Sequence, residues 1–193
     1  MASTEGTLEQ RGAAIGAVAL RTPTALDSAQ LVAATAALLP VHAWPAVDLR
    51  VTTVNAETGH TVLWSRDSGI DLAAAVASSY AIPGFFPPVE IDGRHYIDIP
   101  RAHFTEKLVA DESLDAIVYV GLALPALVNT DELAILDRLA EHGLRVVKAT
   151  NGPAFDEIAD DLMNPAVRVR AAELGQDDGH RAASALHTML GSA

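Results

Sequence analysis

The sequence predicts an α/β fold with a mostly parallel sheet and β-hairpins. Short β-branched or apolar runs alternate with Ala- and Leu-rich helical stretches, which is the order of helices packed on a sheet. Gly- and Asp-containing turns separate pairs of short strands and mark hairpins. Half of the 193 residues are apolar and a fifth are charged, a composition that folds around a core. That length fits one domain, and no repeat or low-complexity linker divides it.

The elements follow in order. Residues 7–20 (TLEQRGAAIGAVAL) place Leu8, Ile15, Val18 and Ala19 near one helical face, and Thr22-Pro23 stops that helix. A second helix is expected over 24–38, ending at Pro40. The LRVTTVN run, 49–55, alternates in a β-branched pattern and reads as a strand. Glu57-Thr58-Gly59 turns the chain, and 60–64 returns as its hairpin partner. An Ala-rich helix follows Asp71 to about Ser79. Residues 89–91 and 95–97 flank Asp92-Gly93-Arg94, a strong hairpin signal. Helix is expected over 101–110. The DAIVYVGL run, 115–122, has the continuous apolar character of a strand covered on both faces. Residues 130–141 form an amphipathic helix capped by Thr130 and closed by Gly143. Residues 144–148 read as a buried strand, and 153–162 and 165–190 as closing helices.

Composition removes several function classes. A net charge of −12 repels phosphate backbones, so nucleic acid is not an expected partner. The absence of cysteine excludes disulfides and thiol catalysis. Glu5 and Glu9 with no apolar h-region argue against a signal peptide, no run has the length of a transmembrane segment, and a cytoplasmic location is expected. No Gly-rich phosphate loop follows a predicted strand, so no cofactor is expected.

Asp98 is the first candidate for chemistry. It lies where a strand leaves its hairpin, a usual position for α/β site residues, and a carboxylate there can orient or deprotonate a nucleophile. The same residue also reads as the cap of a helix starting near Pro100. Ser78 and Ser79 end a helix and read as structural; Ser65 and Ser68 read as turn residues. His95 and His103 flank Asp98. His95 stands three residues before Asp98 on a strand, so the two should point to opposite faces. No H-x-x-x-H or H-E-x-x-H spacing occurs, and no metal site is expected. His180 and His187, seven apart on the last helix, read as solvent-facing.

The stretch ASSYAIPGFFPP, 77–88, continues through Asp92-Gly93-Arg94 to Tyr96-Ile97-Asp98. In this order and spacing it resembles the patatin-like phospholipases and acyl hydrolases, with the TVNAETG stretch, 53–59, resembling their preceding strand and turn. The resemblance implies a partial patatin-like three-layer α/β/α sandwich over 1–193, one domain without the family's opening third. It also implies that Asp98 is the aspartate of a Ser–Asp dyad that cleaves lipid esters.

Two departures accompany it. Asp98 is followed by Ile99-Pro100 where the family has Gly-Gly or Gly-Ala, and Ile and Pro forbid backbone conformations that glycine allows. The 193 residues also contain neither the G-G-x-R-G oxyanion loop nor the G-x-S-x-G elbow. The expectation is therefore a protein of lipid metabolism that is catalytically incomplete as this chain, a pseudoenzyme serving as a binding or assembly module. The alternative is a fragment or split half of an active esterase whose serine is supplied elsewhere. Expected partners are an acyl or lipid ester ligand and either further copies in a homo-oligomer or a complementing protein chain. Missing central strands would leave sheet edges and an apolar face to be covered by such a partner.

Overall fold

The computed structural model describes residues 6–99, 114–123, 130–162 and 164–191. The chain divides into two compact units, Met1–Ala102 and His103–Ala193. The architecture is α/β, with helices and strands in both units.

In the first unit, α1 (Leu8–Ala19), α2 (Ser28–Leu38) and α3 (Leu72–Ser79) accompany β1 (Val51–Asn55), β2 (Thr61–Trp64), β3 (Val89–Ile91) and β4 (Arg94–Ile97). The strands form a sheet of order β2-β1-β4-β3, and every pair in it is antiparallel. Hairpins dictate that pairing: a tight turn can only return a strand antiparallel to its predecessor. The β3–β4 turn is Asp92-Gly93, both at positive φ (51° and 71°), the two-residue turn whose twist matches its flanking strands. The parallel pairing expected from the sequence is found in the second unit instead.

Each helix start has a local cause. Thr7 and Asp27 accept from the Gln10 and Gln30 backbone N–H groups, while those glutamines reach back to the capping residues' own N–H groups. Asp71 Oδ1 accepts from Ala73 N at 2.8 Å and Ala74 N at 3.2 Å, which places the start of α3. Helix α1 buries Gly12, Gly16 and Ala19, while Leu8 and Val18 stay exposed. Of the face expected from apolar periodicity, Ala19 is buried and Ile15 partly buried, while Leu8 and Val18 are exposed and the glycines make the close packing. These glycines let the helix lie directly on the β1–β2 turn: a Cβ on Gly16 would collide with the Ala56 backbone, and one on Gly12 would stand 2.9 Å from Gly59 Cα.

The core of this unit comprises Leu31, Ala77, Ala81, Val89, Ile91 and Tyr96, with Trp64, Tyr80 and Phe86 packed against it. Trp64 meets Tyr96 edge-on at 4.9 Å between ring centroids, and Tyr80 meets Phe86 similarly at 5.5 Å. At the outer edge of the sheet, the Ser28 hydroxyl accepts from the Glu90 N–H at 2.8 Å, tying β3 to the first turn of α2.

In the second unit, β5 (Ala116–Gly121) and β6 (Arg145–Thr150) pair in parallel through six residues. They are connected through α4 (Thr130–Glu141), and α5 (Arg168–Gly191) follows β6. The region 153–162 forms two 3-10 turns, Pro153–Glu157 and Ala159–Asp161, in place of the single helix expected there. Phe155, Ile158 and Leu174 make its small core. At the end of β6 the Asp178 carboxylate accepts from the Gly152 N–H at 3.1 Å and pairs with Arg181. Strand β5 is less covered than its apolar run predicted: Val118, Val120 and Leu122, at alternate positions, are all exposed. The helix expected over 101–110 lies outside the described residues.

Candidate active site around Asp98

Asp98 is the first residue beyond β4, whose ladder to β1 ends at the pair Val54–Ile97. Its N–H donates to Ala81 O at 3.0 Å, fastening the strand exit to the segment after α3. On the other side of the same peptide group, Ile97 O accepts from Thr53 Oγ1 at 3.0 Å. The Thr53 hydroxyl also lies 3.1 Å from Ser78 O, so one buried proton faces two carbonyls. Strand β1, the end of α3 and the exit of β4 therefore converge on one point.

The Asp98 side chain is half-buried, and among the described residues its carboxyl has no hydrogen-bond or ion-pair partner. Burial without compensation disfavours the charged form and raises its pKa from 3.8 to about 6. Such a carboxylate is ionised at neutral pH yet basic enough to take a proton from a hydroxyl in a transition state.

The other residues singled out in the sequence are not brought to it. Ser78 is fully buried; its Oγ donates to Ala75 O at 2.7 Å and lies 3.3 Å from Trp64 Nε1. Ser79 Oγ donates to Val76 O at 2.8 Å. Both hydroxyls serve their own helix, which fits their structural reading. Ser65 and Ser68 belong to the turn after β2, where the Ser65 N–H donates to Ser68 Oγ at 2.9 Å. His95 turns to Glu57: its Nδ1 lies 2.8 Å from Oε1, and its N–H donates to the same carboxylate at 3.2–3.3 Å. Burial works against ionisation of Glu57, yet these bonds from His95 hold its carboxyl below the ordinary range. His180 and His187 are exposed on α5. His103 and Pro100 lie outside the described residues, and with them the capping role considered for Asp98. Among the described residues no cluster of three or more His, Asp or Glu could hold a metal ion.

Sequence reasoning missed Thr53, Asn55 and Glu57. Asn55 Oδ1 accepts from the N–H groups of Glu57 and Thr58 at 3.1 and 2.9 Å, shaping the turn that carries Glu57 to His95. The available signal was position: Thr53 and Asn55 alternate with Val51 on the inward side of a β-branched strand. A buried hydroxyl or amide there must find a partner.

Residues 6–98 match the family model described as Patatin-like phospholipase. This segment is patatin-like. The match spans the first unit from before α1 to Asp98, so the patatin-like segment contains the β1–β2 hairpin, the Pro83-Gly84 turn and the aspartate. No curated protein matches the chain. Among the described residues no helix is long and apolar enough to cross a membrane.

Proposed function

We propose that this chain is a lipid acyl hydrolase relative that does not cleave esters by itself and acts as a binding or assembly module. Asp98 is its inherited dyad carboxylate. The observation that carries this reading is a half-buried Asp98 with no partner among the described residues, beside serines whose hydroxyls are committed elsewhere: Ser78 and Ser79 both donate to helix carbonyls. Acyl transfer draws most of its acceleration from an activated nucleophile and oxyanion donors, and neither sequence pattern occurs in the 193 residues.

A second reading has its own support. A carboxylate unpaired among the described residues, with a raised pKa, is suited to accept the proton of a serine hydroxyl as that oxygen attacks an ester carbonyl. The serine would come from another polypeptide or another segment; the ester C–O bond would break, the alcohol would leave with the proton held by the carboxyl, and water would then release the acyl group as the acid. The exposed stripe Val118, Val120 and Leu122 supports a covering partner in either reading.

The test is a fluorophosphonate labelling assay run beside p-nitrophenyl ester hydrolysis on the purified chain. The expected result is background turnover and no covalent label. Turnover that disappears in Asp98→Ala would overturn the inactive reading. Label and turnover that arise only after addition of a G-x-S-x-G polypeptide would select the split-site reading.

A further inference from the structure

We propose that Thr53 is the positioning residue for Asp98, acting through the peptide group that joins Ile97 to Asp98. The inference rests on the reading of Asp98 as the dyad carboxylate and adds the residue that sets its direction.

The pairs between β1 and β4 are Asn55–Tyr96 and Val54–Ile97, and beyond Ile97 no main-chain partner on β1 continues the pairing. At that last pair the Thr53 side chain adds its own bond to the ladder, donating from Oγ1 to Ile97 O at 3.0 Å. The N–H of the same peptide group is held by Ala81 O, also at 3.0 Å. Both polar atoms of that peptide are therefore fixed, and they are fixed from two different elements. A peptide plane pinned at both ends leaves its following Cα, which carries the Asp98 carboxyl, little rotation about the chain.

The surroundings make the hydroxyl hard to replace. Thr53 is 1 % exposed, and Ile97 and Ser78 are 0 % exposed, so water cannot stand in for a missing donor. The second acceptor, Ser78 O at 3.1 Å, ties the same proton to the end of α3, which leads into Ala81. Thr53 thus couples the two anchors of the Asp98 peptide. It touches no group that would react and is not itself catalytic. Valine keeps its shape but removes the one buried donor that Ser78 O and Ile97 O share; serine keeps the donor and loses only a methyl group.

The experiment is a pH titration of the Asp98 carboxyl carbon by NMR on the full chain, assigned by the signal lost in Asp98→Asn. It compares the unsubstituted protein with Thr53→Val, Thr53→Ala and Thr53→Ser. The expected result is a midpoint about one pH unit lower in Thr53→Val and Thr53→Ala, because a loosened strand exit lets water reach the carboxyl. Thr53→Ser should keep the original midpoint. An unchanged midpoint in a folded Val or Ala variant, or a Ser variant that behaves like Ala, overturns the proposal. Loss of folding in both Val and Ala variants also counts against it, since Thr53 would then support the whole sheet. The titration needs no ester and no partner. An Asp98 that responds to Thr53 in a chain that hydrolyses p-nitrophenyl esters on its own would defeat the proposed function and leave this positioning intact.

Discussion

The hydroxyls of Thr35 and Tyr80 lie 2.6 Å apart, joining the buried face of α2 to the residue that ends α3. Thr35 Oγ1 also donates to Leu31 O at 2.8 Å, so its one proton is used and Tyr80 must be the donor between them. The bond fixes the ring that packs edge-on against Phe86, and through it the chain entering the Pro83-Gly84 turn. Tyr80→Phe removes this donor while keeping the ring. It should cost about 1 kcal/mol in urea unfolding, with the denaturant slope unchanged.

Glycines in this chain should respond to substitution with opposite signs. Gly16→Ala forces a methyl into the Ala56 backbone, where nothing flexible can give way, and should destabilise by roughly 1–3 kcal/mol. Gly175→Ala in α5 meets open space and removes the entropy cost of glycine in a helix, so it should stabilise by roughly 0.5–1 kcal/mol. Denaturant melts of the two variants beside the parent protein check the sign of each. A neutral Gly16→Ala would mean that α1 does not seat on the β1–β2 turn.

Asp98 should make stability fall as pH rises. Its folded pKa of about 6 exceeds the ordinary 3.8, so the folded state binds the proton more tightly than the unfolded one. The resulting stabilisation is fully present below about pH 4 and is lost as pH rises through about 6. Asp98→Asn keeps the shape without the charge, so its melting temperature relative to the parent should climb between about pH 4 and pH 7.5. Thermal melts at the two ends of that window give the comparison. A constant difference would show that the carboxyl is solvated.

Ser78→Ala addresses the most buried serine near the aspartate. The substitution leaves Trp64 Nε1 without its acceptor and should cost about 1 kcal/mol, while the helix carbonyl of Ala75 loses only an extra donor. Fluorophosphonate labelling should stay at background in parent and variant alike. Labelling in the parent that vanished in Ser78→Ala would make Ser78 a nucleophile after all.

Local chemistry carried most of what was legible in advance. The Asp92-Gly93 turn, the Asp71 cap and the helix over Thr130–Glu141 all depend on neighbours within a few residues, and all stand where composition placed them. The face of α1 was only partly foreseen because apolar periodicity assumes that larger side chains point inward. Here Gly12 and Gly16 permit a backbone approach that Leu8 and Val18 would obstruct. The antiparallel character of the larger sheet was implicit in its two hairpins, yet the β1–β4 pairing that joins them is long-range and left no local mark. At the site, Asp98 was readable from its position at a strand exit and from the family resemblance. Thr53 lies 44 residues before Ile97 along the chain, and only the three-dimensional register brings the two together.

The bond between Ser28 and Glu90 also governs how the sheet meets other polypeptides. Strand β3 follows Pro87 and Pro88, which have no N–H to offer, and the N–H of Glu90 is already spent on Ser28. An extended peptide arriving along β3 would find carbonyls without matching donors and could not knit itself into a ladder there. Recruitment of a foreign strand is thereby given a direction. The other outer strand among the described residues is β2, so growth of this sheet is to be sought on the side of Trp64 and not on that of β3.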